Sequence, residues 1–168
     1  HMLSTPDPSA SITIECQPLP VEFVYRGYLT GSTKTSIWTA YERGDRSYCG
    51  HQLPEGLRRH EKLPEPLLTP TTKADMGAHD EVTSRSALIE SGVISEEHYA
   101  KAEKITSAIF EAGTRWAESC GLILVDTKYE LDIDPDGQFR VIDEMHTPDS
   151  SRYWYLDRYA PAMSEGRS

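Results

Sequence analysis

The sequence predicts an α+β domain, a central antiparallel or mixed sheet with flanking helices. Three segments predict it. Val21, Phe23 and Tyr25 alternate with Glu22, Val24 and Arg26, the period of a strand with one buried face. Residues 96–120 carry apolar side chains at three- and four-residue spacing, which marks an amphipathic helix. Residues 122–143 read as two strands joined by Asp134-Pro135-Asp136-Gly137, a strong turn sequence.

Taken in order, His1-Met2 reads as an expression scar and the Ser/Pro/Asp-rich stretch 3–11 as a loose arm. Residues 12–28 form one or two strands, and Gly27 and Gly31 bracket a tight segment over 26–32. Residues 33–50 are polar with scattered aromatics (Trp38, Tyr41, Tyr48). Pro54, Pro64, Pro66 and Pro70 make 51–80 a long irregular excursion, and such loops in compact domains are functional or disordered. A short helix covers 84–91. Ser95 then caps the main helix, with Glu96 and Glu97 in its first turn to complement the dipole. Its expected buried stripe is Tyr99, Ala102, Ile105, Ile109, Ala112, Trp116 and Cys120, and Gly121 ends it. Leu122 to Val125 starts a buried strand that continues to Glu130, and 138–143 returns beside it.

Composition narrows the function classes. With 168 residues the chain holds one domain or two small lobes, and 27 acids against 17 bases give a net charge of −10. That balance excludes a general nucleic-acid binder, which needs a basic footprint. No apolar run approaches the ~18 residues of a membrane span, and no signal peptide is visible. Cys16, Cys49 and Cys120 are odd in number with no paired spacing, which suits a reducing, cytoplasmic setting without structural zinc.

Several groups carry chemistry. Asp126, Lys128 and Glu130 share one strand face at about 7 Å intervals. If the turn centres on Pro135-Asp136, Asp143 falls opposite Lys128 on that face and Glu144 points away. Carboxylates and a lysine so arranged suit Mg²⁺ against a triphosphate, or equally a solvated face of cross-strand ion pairs. Thr69-Pro70-Thr71-Thr72-Lys73, followed by His79-Asp80, gathers donors suited to phosphate or carboxylate, or forms a capped turn. Arg26, Thr30, Ser32 and glycine-loosened amides could wrap an anion. Asp149-Ser150-Ser151-Arg152 sets a guanidinium beside two hydroxyls, matching phosphate geometry or a helix cap. His146 is a base or a hydrogen-bonded structural residue, and His51, His60 and His98 show no ligand spacing.

The segments VEFVYRGYLTGS (21–32), LPEGLRRHEKLPEPLLTPTTKADMGAHDE (53–81), GLILVDTKYEL (121–131) and VIDEMHTPDSSRYW (141–154) together resemble the SAICAR synthetase (phosphoribosylaminoimidazole-succinocarboxamide synthase) family, in family order over 12–160. The resemblance implies the second, ATP-grasp-related lobe of that fold, with 1–11 as scar and arm, 12–160 as catalytic domain and 161–168 as tail. It implies an ATP-dependent ligase of purine biosynthesis that joins L-aspartate to the carboxylate of the phosphoribosyl aminoimidazole nucleotide CAIR through an acyl phosphate. By resemblance, Arg26, Ser32, Ser151 and Arg152 bind the substrate, and Glu130 and Asp143 ligate Mg²⁺. Asp126 and Lys128 lie beside the nucleotide, and Lys73, Asp80 and Lys128 serve the reacting groups. The family's DTKYEFG reads Asp126-Thr127-Lys128-Tyr129-Glu130-Leu131-Asp132 here. The family's N-terminal ATP lobe and C-terminal helices are not found in these residues, so the ATP site is expected to be incomplete, with a homo-oligomer or a separate chain supplying the rest. Three readings stay open: the standard ligation, a short homologue acting on a similar nucleotide in nucleoside-antibiotic biosynthesis, and a non-catalytic nucleotide-binding module.

Overall fold

The computed structural model describes residues 2–73 and 81–166. Strands β1 (Met2–Asp7) and β2 (Ala10–Thr13) come first, then the long β3 (Gln17–Tyr28) and helix α1 (Ile37–Glu42). Short strands β4 (Ser47–Tyr48) and β5 (His51–Gln52) precede β6 (Lys62–Leu68), β7 (Thr71–Thr72) and β8 (Glu81–Val82). Helices α2 (Arg85–Glu90) and α3 (Glu96–Ser119) lead to β9 (Leu122–Ile133), β10 (Phe139–Ile142), β11 (Ser151–Tyr155) and helix α4 (Leu156–Ser164). The predicted α+β class is what forms, and every strand pair in the central sheet is antiparallel.

The sheet runs β10-β9-β3-β7-β8, with β11 paired to the other half of β9 and β6 to the other half of β3. Its spine is the β3–β9 pair, in register from Glu22 opposite Glu130 to Arg26 opposite Asp126. One face is apolar. Leu19, Val21, Phe23 and Tyr25 of β3 and Tyr129 and Leu131 of β9 pack on Tyr99, Ala102, Phe110 and Ala117 of α3. Full burial of each such large side chain contributes about 1.5–3 kcal/mol. The opposite face carries Glu22, Arg26, Asp126, Lys128 and Glu130, since strand side chains alternate.

A register shift between Arg152 and Tyr153 pairs Arg152 with Asp126 but Tyr153 with Leu124, leaving Val125 unopposed. This bulge changes the parity of β9. Leu124 therefore joins the α3 core although Tyr129 does too, while Ile123 and Val125 pack with Tyr28, Trp154 and Tyr159. A separate small core forms where Leu29, Ile37, Tyr41, Tyr48, Leu53, Leu63 and Leu67 meet.

Several expectations are corrected. Residues 3–11 lie within the β1–β2 hairpin instead of a loose arm, although all of its described residues are exposed. The polar stretch 33–50 holds α1, which Ser36 caps by accepting from the Thr39 amide. The irregular excursion contains β6, because Pro64 and Pro66 fall where the ladder skips from Arg26–Leu67 to Tyr28–Lys62 and need no amide donors. Helix α2 and the start and end of α3 form as expected, with Ser84 and Ser95 as caps and Gly121 at φ +74°. The buried stripe of α3 is displaced by one residue along its second half, to Thr106, Phe110, Gly113 and Ala117. Ala112, Trp116 and Cys120 face solvent, Trp116 being 75% exposed.

Candidate functional site

The polar face of β3 and β9 brings the sequence candidates together. Lys128 Nζ lies 3.0 Å from Glu130 Oε1, 3.3 Å from Glu22 Oε1 and 3.5 Å from Asp143 Oδ2. Lys73, arriving just after β7, places its Nζ 2.5 Å from Glu130 Oε2. One carboxylate thus holds two ammonium groups, and one ammonium is shared by three carboxylates. Burial alone would raise the Glu130 carboxyl, but the hydrogen bonds from Lys73 and Lys128 outweigh it and hold it below the ordinary range. Burial likewise opposes charge on Lys128, yet Glu130 and Glu22 push its pKa upward.

Asp143 reaches this cluster by a route different from the expected one. The hairpin register sets Ile142 opposite Glu130, so the turn is centred one-half residue later than Pro135-Asp136 and Asp143 is not opposite Lys128. Instead Asp143 leaves the strand at φ +61°, and this turn of the backbone swings its carboxylate back to the lysine. Glu144 accepts from the Thr147 hydroxyl at 2.8 Å and braces the loop into β11.

Beside the cluster, Glu22, Val24, Arg26, Asp126, Lys128 and Arg152 line part of an open groove of about 310 Å³, closed at one end by residues 148–151. Arg152 donates from Nε to Asp126 Oδ1 at 2.7 Å. Its Nη2 approaches Oδ2 to 2.5 Å off hydrogen-bond alignment, leaving that buried oxygen without a directed donor. The guanidinium remains accessible, with the side chain 54% exposed. Ser151 is buried, donating to Thr127 Oγ1 at 2.8 Å and lying 3.1 Å from Ser150 Oγ. Ser151 and Arg152 belong to a strand, not to a helix cap. The turn before them is closed by Thr147 and Ser150, each bonding the other's amide through its hydroxyl.

Arg26 is buried and donates from Nε to Thr69 Oγ1 at 2.9 Å. Thr71 donates to Glu22 Oε2 at 3.0 Å. The hydroxyls of Thr69 and Thr71 therefore orient Arg26 and Glu22. Ser32 is exposed on the loop after β3 and does not line the groove, and Thr30 is bound to His60 Nδ1 at 2.8 Å. Asp80 lies outside the described residues. His146 is held at 2.6 Å from the Tyr129 hydroxyl, and burial lowers its pKa.

Sequence reasoning missed Glu22 and Asp132 as members of this face. Glu22 stood in the alternating run of β3 and needed only the β3–β9 register to be placed. Asp132 is the next residue of the Asp126-Lys128-Glu130 series, and it is buried with Oδ1 lacking a hydrogen-bond partner.

Glu130 and Asp143 offer the hard oxygen donors that Mg²⁺ takes. Hard carboxylate oxygens of Glu130 and Asp143 already converge on a positive charge, the Lys128 ammonium. Magnesium takes one or two carboxylates and completes its shell with water and phosphate oxygens. Among the described residues no group of three or more His, Cys, Asp or Glu side chains is arranged to hold a metal by itself.

The family model described as SAICAR synthetase matches residues 1–168. The chain belongs to the SAICAR synthetase family. It is 52% identical over 167 residues to the phosphoribosylaminoimidazole-succinocarboxamide synthase of Cytophaga hutchinsonii, covering 99% of this chain and 52% of that protein. The synthase of Bacteroides fragilis is 47% identical over 166 residues, covering 99% of this chain and 51% of its own. Among solved structures, the Saccharomyces cerevisiae SAICAR synthase complexed with SAICAR superposes with a TM-score of 0.72 at 30% identity, covering 85% of this chain and 44% of that one. A type-2 SAICAR synthetase in complex with ADP has the same fold, with a TM-score of 0.71 at 24% identity over 94% of this chain and 58% of that one. This member of the SAICAR synthetase family spans about half the length of the curated relatives it matches.

Proposed function

We propose that the polar sheet face is the substrate and phosphoryl-transfer half of a SAICAR synthetase site. The observation that carries this reading is the juxtaposition, on one face, of the Lys73–Glu130–Lys128–Asp143 cluster and the Arg152 groove. The substrate is a phosphoribosyl aminoimidazole carboxylate of the CAIR type, anchored by Arg152 with Arg26 and the hydroxyls of residues 150–151. Arg152 presents its planar fork at the groove while Asp126 fixes its direction, as phosphate recognition requires. By the family resemblance, Ser32 would join the substrate contacts and Asp80 would serve the reacting groups.

In the proposed reaction a carboxylate oxygen of the substrate attacks the γ-phosphorus of ATP and ADP leaves, giving an acyl phosphate. The amine of L-aspartate then attacks the acyl carbon, loses a proton, and expels inorganic phosphate to leave the amide. Such transfers need positioning and charge stabilisation more than covalent help from the protein. Lys73 and Lys128 supply donors where negative charge accumulates, and Asp126 keeps the nucleotide side of the face aligned. Glu130 and Asp143 would hold Mg²⁺, which neutralises phosphate charge when bound. We assign the chain to a water-filled cellular compartment, the cytoplasm, on its composition; among the described residues no helix is long and apolar enough to cross a membrane.

Calorimetry with CAIR tests the reading. Wild type is expected to bind, and Arg152→Ala to bind about 10–100-fold more weakly, the loss of a charged hydrogen-bonding anchor. Equal affinity of the two proteins would overturn it. With ATP, Mg²⁺ and L-aspartate added, mass spectrometry is expected to find little SAICAR from the 168-residue chain, because the relatives work with about twice this length.

A further inference from the structure

Glu130 is the meeting point of both lysines; Lys128 also contacts a second acid, and Lys73 acts electrostatically on one. Lys128 already touches Glu22 at 3.3 Å, and Glu22 is itself fixed by Thr71. For Lys73 the second acid is Asp132. The Lys73 amide donates to the Pro20 carbonyl at 3.3 Å. Pro20 lies between Pro18, which is opposite Asp132, and Glu22, which is opposite Glu130. The Lys73 backbone therefore joins β3 between the residues paired with the two acids, at the point where the β3–β9 register shifts. Asp132 keeps one buried oxygen, Oδ1, without any donor, although unpaired buried carboxylates are costly. Asp132 stands where the family's pattern has glycine, and the Lys73 charge acts on its carboxyl against the effect of burial.

We propose that Glu22 and Asp132 are positioning residues that receive Lys128 and Lys73 when Glu130 turns to another cation. The handover rests on the reading of Glu130 and Asp143 as the carboxylates for Mg²⁺. It solves a charge problem of that reading. A carboxylate that engages a divalent cation must weaken its hold on two ammonium groups, and unpaired lysines would swing to solvent. With Glu22 and Asp132 beside them, both stay on the face and remain aimed at the phosphate groups.

The test is nuclear magnetic resonance of the chain labelled at lysine ¹³Cε and glutamate carboxyl carbons, with Lys73→Arg and Lys128→Arg to assign the lysines. Ordered lysines show two distinct Hε signals, and free ones show a single averaged signal. In wild type, saturating Mg²⁺ is expected to move the Glu130 carboxyl resonance while both lysines keep distinct Hε signals. In Asp132→Asn the Lys73 pair is expected to collapse on Mg²⁺ addition, and in Glu22→Gln the Lys128 pair. A metal-free arm uses Glu130→Gln: both lysines stay ordered in that variant, and adding Asp132→Asn frees Lys73. An unmoved Glu130 resonance in wild type overturns the metal assignment and the handover together. A moving Glu130 resonance with wild-type lysine behaviour in Asp132→Asn and Glu22→Gln overturns the handover alone.

Discussion

The imidazole of His146 fills the space beside Gly113, where an added Cβ would fall 2.2 Å from its Cε1, and its Nε2 meets the Tyr129 hydroxyl. It packs the loop after Asp143 against α3. Gly113→Ala is expected to cost about 1–3 kcal/mol in urea unfolding, the usual penalty of overpacking, and much less in a His146→Ala background. Burial keeps His146 neutral below its ordinary value of 6.5. The unfolded chain then binds a proton that the native state does not, so this contribution to stability is lost as pH falls below 6.5 toward the lowered folded value. Urea midpoints between pH 5 and 7 check this, and His146→Ala should flatten the profile. Asp132 behaves oppositely, since burial raises its pKa above 3.8 and stability is lost as pH rises from there. At this scale the sequence showed Lys128 and Glu130 plainly, because a period of two within one segment needs no tertiary knowledge. Glu22 is 106 residues from Lys128, so only the fold joins them. Asp143 was placed on the correct face by an incorrect register, and the positive φ that brings it there leaves no signal at an aspartate.

Among the elements, α3 shows what periodicity carries and what it does not. Its cap is local chemistry: Ser95 Oγ accepts from the His98 amide at 3.1 Å, and Glu96 and Glu97 complement the helix dipole. Ser95→Ala should cost about 1 kcal/mol in thermal or urea unfolding. Its rotation is not local, because two stripes one residue apart fit the same spacing. The large indole of Trp116 favoured the wrong one, whereas the sheet takes Phe110, stacked on Tyr25 at 5.1 Å. Trp116→Ser is accordingly expected to change stability by no more than about 0.5 kcal/mol. Strands β6 and β11 were hidden for related reasons. Prolines conceal β6, and the residues of β11 are equally suited to a phosphate loop. β11 turns out to be both strand and groove wall, which is how Arg152 acquires its rigid support.

At the scale of the whole molecule, one face of the sheet supplies cohesion and the other gathers the charged side chains, and the bulge at Val125 lets β9 add an aromatic cluster beside the charged floor. The groove sets Glu22, Asp126 and Asp149 against Arg26, Lys128 and Arg152, so it is matched within itself while the chain carries −10 overall. A phosphate-bearing ligand therefore meets repulsion during approach and attraction only on arrival. Raising salt from about 0.01 M to about 0.1 M shortens the screening length from about 30 Å to about 10 Å. The long-range barrier should fade first, so stopped-flow association of CAIR is expected to speed up with salt over this range, the reverse of an electrostatically steered enzyme. The molecule would then be a slow catcher in dilute buffer and a faster one at physiological ionic strength, with selectivity exercised at contact and not by attraction from a distance.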